Sequence, residues 1–199
     1  MSEVEFLNWV RGDGLNLAIG VFLLGVIWRL FEIYSLGRKP DLSAPRQAAG
    51  ASGLHTVFRR SMPPPGMMKR SPVSYIGGYI FHIGLAVVVF LFAPHIKLIE
   101  HLFGVSWPGL PSQVVDLVAV ITLVAMVVVL VDRITKPVKR YLSTFEDYFT
   151  WAVTFLPVLT GYLAVKHLLL PYTTMLALHI LSVEILLVVL PFSKLFHVF

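Results

Sequence analysis

Four histidines in this sequence of 199 residues lie within or next to long apolar runs. His82 and His95 bracket twelve residues that are almost entirely hydrocarbon, and His179 and His197 lie near the C-terminus. An imidazole in such surroundings needs a partner, because an unpaired polar group in lipid is costly. Imidazole nitrogens also bind metal ions readily. The four residues therefore point to buried hydrogen bonds or to metal ligation.

The composition is that of a membrane protein. Apolar residues make up 57% of the chain and charged residues only 14%, whereas a soluble domain carries about 25% charged residues. Mean hydropathy is +0.80. The chain has no cysteine, which excludes a disulfide framework, an iron–sulfur cluster held by this chain and covalent attachment of a c-type haem. Histidine is then the best metal ligand that the chain offers.

Five segments are apolar and long enough to cross about 30 Å of hydrocarbon. Because lipid leaves backbone groups without a solvent partner, we expect all five to be helices, with kinks at Pro157 and Pro191. We expect the first to be a retained span, since no basic n-region or small-residue cleavage site accompanies it. The prediction is an all-α integral membrane protein, a single five-helix bundle over residues 1–199, with spans at 15–36, 74–94, 113–132, 147–166 and 173–196.

Lysine and arginine are concentrated in two loops, at 37–73 and 133–146, which predicts that both loops and the C-terminus are cytoplasmic and the N-terminus is outside. The net charge of +5 is mostly this topology signal, so we do not expect nucleic-acid binding. The 37–73 loop is rich in proline and lacks helical or strand periodicity. It could be a solvated loop beside the lipid bilayer or a docking surface for a cytoplasmic partner. Its basic residues are Arg38, Lys39, Arg46, Arg59, Arg60, Lys69 and Arg70.

The predicted orientation pairs the four histidines by depth. The second span runs outward and the fifth runs inward, so His95 and His179 lie near the outer side. His82 and His197 lie near the inner side by the same argument. Two b-type haems, one above the other, need this arrangement, with each iron held between imidazoles of facing helices. Hydrogen-bonded packing histidines are the simpler alternative, but two pairs matched in depth favour the haems.

Helix phase supports one half of this interpretation. His179 and His197 are 18 residues apart, which is five helical turns, so both would project from one face. His82 and His95 are 13 residues apart and about 140° out of phase, unless the helix ends at Pro94. Without that break, only the inner haem would be expected. The other histidines, His55, His101 and His167, are predicted to lie in surface loops.

Other ionisable residues in the spans are functional candidates by default. Glu184 is about 140° around the fifth span from His179, and it could hydrogen-bond a neighbouring helix or relay protons. Arg29 could pair with Glu32, three residues along the first span, or neutralise a haem propionate.

Four stretches resemble, in the same order, the gamma subunit of respiratory nitrate reductase and its relatives. Those relatives include cytochrome b subunits linked to dissimilatory sulfite reductase and to heterodisulfide reductase-like complexes. The resemblance covers most of the chain except residues 40–72. Its most specific part is His179 and His197 with the Pro-Phe-Ser-Lys segment between them. The stretches are GVFLLGVIWR, YIFHIGLAVVVFLFAPH, DRITKPVKRYLSTFEDYF and LHILSVEILLVVLPFSKLFH.

The resemblance implies five spans, an external N-terminus and two b haems. It implies that His82 and His197 are ligands of the inner haem and that His179 is a ligand of the outer haem. His95 departs from the family pattern, because the gamma subunit has its second outer ligand three residues earlier, where this chain has Phe92. The long 37–73 loop also departs, which suggests a partner other than the soluble nitrate reductase pair.

The expected function is that of a non-autonomous electron-transfer subunit in a bacterial or archaeal cytoplasmic membrane, with no catalytic side chain of its own. A quinol, such as a reduced menaquinone, would be oxidised near the outer haem, and an iron–sulfur subunit of the same complex would accept the electrons. The reverse direction, quinone reduction, is equally compatible with the sequence. Lys97 and His101 are outer-side candidates for binding the quinone. The alternative is a single-haem or haem-free membrane anchor, or a subunit that handles protons.

Overall fold

The computed structural model describes residues 2–37, 52–64 and 66–198, and this part of the chain is helical and contains no β-strand. Five helices are long and apolar enough to cross a membrane, which confirms the predicted all-α membrane architecture. The α-helices are α1 (Glu3–Trp9), α2 (Leu15–Ser35), α3 (Ser52–Arg60), α4 (Met67–Arg70), α5 (Pro72–Leu91), α6 (Ala93–Phe103), α7 (Ser112–Thr135), α8 (Pro137–Leu142), α9 (Phe145–Val165) and α10 (Tyr172–Val189).

The first span is longer than predicted. A capping box, in which Ser2 and Glu5 exchange hydrogen bonds, starts α1 at Glu3. A π-helical turn, Val10–Gly14, then joins α1 to α2 without a break, so the continuous helix runs over Glu3–Ser35. The prediction of a start at residue 15 was wrong, because the mixed polar sequence before it is helical as well.

The spans pack in a defined order. Helix α5 packs on α7, α7 packs on α9, and α9 packs on α10. Helix α10 also packs on α1, the π turn and α2, so the first and last spans are neighbours. The short connections between α7 and α9 and between α9 and α10 make these sequence neighbours antiparallel.

Glycine allows the closest of these contacts. A β-carbon at Gly84 in α5 would overlap the hydroxyl oxygen of Thr122 in α7. A β-carbon at Gly77 would overlap the side chain of Val129 in the same way. The two helices therefore approach each other closely at these two glycines of α5, where no side chain separates them. Small residues at the contact are a common way to pack helices in a membrane.

The 133–146 connection is held by a buried carboxylate. Asp132, near the end of α7, forms ion pairs with Lys136 (2.6 Å) and with Lys139 of α8. Lys139 Nζ also donates to the Ser74 hydroxyl at 2.6 Å, which ties α8 to the start of α5. Two of the basic residues that predicted topology are therefore engaged in packing as well.

The 37–73 segment contains two helices that its sequence did not predict, α3 and α4. The expectation of a loop without helical structure was therefore wrong for these residues. Arg38, Lys39 and Arg46 fall in the part of this loop that lies outside the described residues. His55, which was predicted to lie in a loop, is in α3.

Candidate functional site

The structure brings His82, His95, His179 and His197 together as two pairs. The ring centres of His82 and His197 are 6.3 Å apart, and their planes are inclined by 74°. The ring centres of His95 and His179 are 6.1 Å apart, and their planes are inclined by 18°. These are the pairs that depth predicted. The four imidazoles come from α5, α6, α10 and a 3₁₀ turn after α10, so only the tertiary fold assembles them.

Each of the four imidazoles is oriented through its Nδ1 atom by a backbone carbonyl. His82 contacts the Gly78 carbonyl at 2.7 Å, and His95 contacts the Val88 carbonyl at 2.9 Å. An Nδ1–H that donates to a carbonyl leaves Nε2 as the free, metal-binding nitrogen. The corresponding contacts are His179 to the Pro157 carbonyl at 3.0 Å and His197 to the Lys194 carbonyl at 2.8 Å.

His95 reaches its partner because α5 ends before it. Phe92 has an extended backbone (φ −85°, ψ 123°), and α6 begins at Ala93 with Pro94 in its first turn. The new helix points His95 independently of α5, so the 140° phase difference from His82 does not apply. The predicted break is present, but α5 ends at Leu91, three residues before Pro94.

His197 reaches its partner by a route that the sequence argument did not foresee. Helix α10 ends at Val189 and is followed by two 3₁₀ turns, Leu190–Phe192 and Lys194–Val198, with extended Ser193 between them. His179 and His197 therefore do not share one helical face, and the prediction of a span over 173–196 was wrong at its end. Pro191 cannot donate a backbone hydrogen bond, which favours the end of the α-helix there.

The second 3₁₀ turn is fixed to α9 by charge. The Lys194 backbone N–H donates to Glu146 at 2.9 Å, and Lys194 Nζ forms an ion pair with Asp147 at 2.9 Å. Both carboxylates lie in the first turn of α9, where the helix dipole also favours negative charge. This clamp holds the turn that carries His197 against the bundle.

His179 lies directly against α9. A β-carbon at Gly161 would be 2.9 Å from Cε1 of the imidazole, which is closer than real side chains pack. The Pro157 carbonyl one turn earlier holds Nδ1. Glycine at 161 is therefore required for the ring to occupy this position, and the sequence analysis did not single it out.

A cavity with a volume of about 320 Å³ adjoins the His82–His197 pair. Its wall includes Gly78, where a β-carbon would meet no atom within 4 Å, and two cationic side chains, Arg133 and Lys194. Arg133 donates to the Ser143 hydroxyl at 2.9 Å. Arg133 is a residue that the sequence analysis used only for topology, and its position beside the histidines could not be read from spacing.

Arg29 adopts the simpler of its two predicted roles. Its Nη1 atom forms an ion pair with Glu32 at 2.7 Å, and its guanidinium carbon lies 5.6 Å from the centre of the Phe196 ring. It is therefore close to the turn that carries His197, but it does not line the cavity described above.

The two residues predicted to bind a quinone, Lys97 and His101, are exposed and lie in α6. The expectation that His101 lies in a loop was wrong. At 100° per residue they are about 200° and 240° around the helix from His95. Both side chains therefore project from other faces of α6 than His95 does, and their role in binding a quinone stays a prediction. His167 lies in the turn between α9 and α10, as predicted.

Glu184 lies in α10 and is 5% exposed. Its Oε1 atom has no hydrogen-bond partner among the described residues, so the expected hydrogen bond to a neighbouring helix is not formed by this atom. The π turn of the first span passes beside it, and a β-carbon at Gly14 would be 3.0 Å from Oε2. A buried carboxyl oxygen without a partner is expensive in a membrane, which makes Glu184 a functional candidate.

The sequence is 33% identical to a protein of Nitratidesulfovibrio vulgaris (strain Hildenborough) over 187 residues, which cover 93% of this chain and 79% of that protein. The relative bears the plain name "Protein", which states no activity. No protein-family model and no solved structure matches the chain. Because the similarity extends over most of both sequences, the chain belongs to the same family as this Nitratidesulfovibrio vulgaris protein.

Proposed function

We propose that this protein is the di-haem b-type cytochrome subunit of a membrane oxidoreductase. It would pass electrons between the quinone pool, on the outer side, and an iron–sulfur partner on the cytoplasmic side of a bacterial or archaeal membrane. The observation that carries the proposal is the pairing of four histidines, in or next to the membrane spans, at ring-centre distances of 6.3 and 6.1 Å.

The distances suit shared metal ligation. Two imidazoles that bind one metal ion from opposite sides, each through a bond of about 2 Å, have ring centres roughly 6 Å apart. A direct hydrogen bond between two rings would bring their nitrogens within about 3 Å, and the ring centres would then be closer together than they are in a metal-linked pair. Carbonyl contacts to all four Nδ1 atoms also support ligation, because metal-bound histidines commonly hold their second nitrogen in this way.

The surroundings of the His82–His197 pair suit a macrocycle with acidic groups. The adjoining cavity is lined by small, apolar and aromatic residues together with Arg133, Lys194 and the carboxylate of Asp147, which pairs with both cations. Propionates in a poorly hydrated site need cationic partners, and Arg133 and Lys194 would supply them by sharing the charge that they now direct to Asp147. We therefore assign His82 and His197 as ligands of the inner haem, with Arg133 and Lys194 in place of Arg29 as propionate partners. His95 and His179 would hold the outer haem.

The protein's own contribution would be ligation, orientation and exclusion of water. A bound haem supplies one-electron redox chemistry. Two imidazoles at each iron leave no open coordination position, which favours electron transfer over oxygen binding. The clamp between Lys194 and Asp147 and the contact between Gly161 and His179 would keep ligand geometry fixed when the charge of the site changes.

A haem-free or single-haem subunit that handles protons is the second candidate. The unpartnered Oε1 atom of Glu184 favours it, because an intramembrane carboxyl beside a π turn is a group that can bind and release a proton. Both functions could also coexist, with Glu184 compensating charge while electrons move through the histidine sites.

Haem content decides between the candidates. The protein, expressed with adequate haem and purified in mild detergent, is expected to give a b-type reduced-minus-oxidised spectrum and two haems per chain by the pyridine haemochrome assay. One haem would mean that one histidine pair is not a ligand set. A folded, haem-replete preparation without haem would overturn electron transfer and leave the anchor or proton-handling subunit.

A further inference from the structure

Helix α3 carries an exposed apolar stripe that no described element covers. Leu54, Val57 and Phe58 are 76%, 61% and 71% exposed. Their spacing of three and four residues places them on one face of the helix. Thr56 and Arg59 lie on the opposite face by the same phase of 100° per residue. The helix is therefore strongly amphipathic, although it has only nine residues.

The charged residues of α3 and α4 are all basic. Arg59 and Arg60 form the last turn of α3, and α4 adds Lys69 and Arg70. The sequence contains no Asp or Glu between Asp41 and Glu100. These cations thus have no acidic neighbour within their own segment, and the surface they form is complementary to a negatively charged one.

One hydrogen bond fixes the level of this segment relative to the membrane. The hydroxyl of Tyr79, in α5, donates to the Ser61 carbonyl, directly after α3. Tyr79 lies seven residues after Pro72, or about 10 Å along the helix axis, and helical side chains slant back towards the N-terminus. The hydroxyl therefore lies near the first turns of α5, where this span leaves the hydrocarbon. The end of α3 is therefore held beside the first turns of α5.

From these three observations we infer that α3 lies in the plane of the membrane surface. Leu54, Val57 and Phe58 insert into the boundary between headgroups and acyl chains, and the arginines contact anionic phospholipid headgroups. A short amphipathic helix is only marginally stable in water, and a lipid surface supplies the apolar partner that it lacks. The inference is independent of haem binding and of the proposed electron transfer.

A protein partner with an acidic, partly apolar surface is the competing occupant. The Tyr79–Ser61 hydrogen bond favours lipid, because it holds the helix beside a bilayer that is present at all times. The cations favour an anionic leaflet, because its negative surface potential attracts Lys and Arg side chains that lie close to the membrane. The interfacial helix would then fix the orientation of the whole 37–73 segment.

The absence of cysteine makes a direct test available. Phe58→Cys and the matched variant Thr56→Cys each receive one environment-sensitive fluorophore, and the full-length protein is placed in nanodiscs of phosphatidylcholine with or without phosphatidylglycerol. We expect the label at 58 to be blue-shifted and several-fold less accessible to aqueous iodide than the label at 56. Lipids carrying a quencher just below the headgroup should quench the label at 58 and not the label at 56.

The charge contribution is tested with Arg59→Gln and Arg60→Gln combined in the Phe58→Cys background. The shielding should decrease in discs that contain phosphatidylglycerol, whereas Arg11→Gln, at the other end of the first span, should leave it unchanged. Labels at 56 and 58 that are equally accessible to iodide in both types of disc would overturn the inference and leave the face to a soluble partner. The label at 58 could also be equally shielded with and without phosphatidylglycerol, and in the presence and absence of the two arginines. That result would overturn the role of anionic headgroups.

Discussion

His179 lies against the α-carbon of Gly161, so closely that a β-carbon there would be 2.9 Å from Cε1 of the ring. Gly161→Ala should therefore push the imidazole away from the Pro157 carbonyl and disturb the outer haem site while the inner site is unaffected. The expected result is loss or a spectral change of one haem, measured by redox spectra and haemochrome quantification. Gly20→Ala is the control, because a β-carbon at Gly20 meets no atom within 4 Å. Unchanged spectra in Gly161→Ala would argue against His179 as a ligand.

Replacing either member of one histidine pair should remove one haem and leave the other. His179→Leu and His95→Leu are expected to lose the same haem, and His197→Leu is expected to lose the other, because each proposed haem would depend on two imidazoles. Haem per chain should fall by half in all three variants. His101→Leu is the control, since this exposed residue faces away from His95. Retention of both haems in His95→Leu would leave the outer site without its proposed ligand.

The two pairs should give different electron paramagnetic resonance signals. The angle between the planes of two axial imidazoles determines how they split the d orbitals of a low-spin ferric iron. The His82–His197 planes are inclined by 74° and the His95–His179 planes by 18°. We expect a strongly anisotropic signal from the inner site and a rhombic signal from the outer site. His197→Leu should remove the first only, and two identical signals would contradict the observed ring orientations.

Gly84→Ala should destabilise the bundle itself. A β-carbon there would overlap the Thr122 hydroxyl, so α5 and α7 would have to separate. Overpacking of this kind typically costs about 1–3 kcal/mol, and for a protein of this size each kcal/mol lowers Tm by roughly 2–4 °C. Thermal unfolding in detergent should show a decrease of several degrees relative to Gly20→Ala. An equal Tm for the two variants would mean that the helices are not in contact at Gly84.

The ion pair between Lys166 and Asp116 should make stability depend on alkaline pH. The hydrogen bond from Lys166 to Asp116 raises the pKa of the lysine above its ordinary value of 10.5. A raised pKa stabilises the folded state below pH 10.5, and this contribution is lost as pH rises through the folded-state pKa. Asp116→Asn should therefore be slightly less stable than the native protein at pH 8, with the difference disappearing under strongly alkaline conditions. A difference that persists there would have another origin. Asp13→Asn, at an exposed position in the π turn, is the control.

The number and the approximate positions of the spans could be predicted from composition alone. Lipid provides no hydrogen-bond partner for the backbone, so a long apolar segment has few alternatives to a helix. Depth then paired His82 with His197 and His95 with His179, because position along a span fixes depth within a few ångströms. The two basic helices of the 37–73 segment were not predicted, since proline and glycine surround them and their periodicity extends over only a few turns.

The geometry of the two histidine pairs depended on features that sequence spacing does not reveal. Backbone breaks at Phe92 and Ser193 turn His95 and His197 towards their partners. Helix phase also predicted that His197 would face its partner, but it did so by assuming a continuous helix, which the structure does not have. Contacts such as Gly161 with His179, and the position of Arg133 beside the inner pair, join residues from different spans. Sequence by itself determined which residues lie at which depth, because burial in lipid is decided segment by segment. Tertiary structure decided which side chains meet, because the rotation and approach of helices depend on packing between segments distant in the chain.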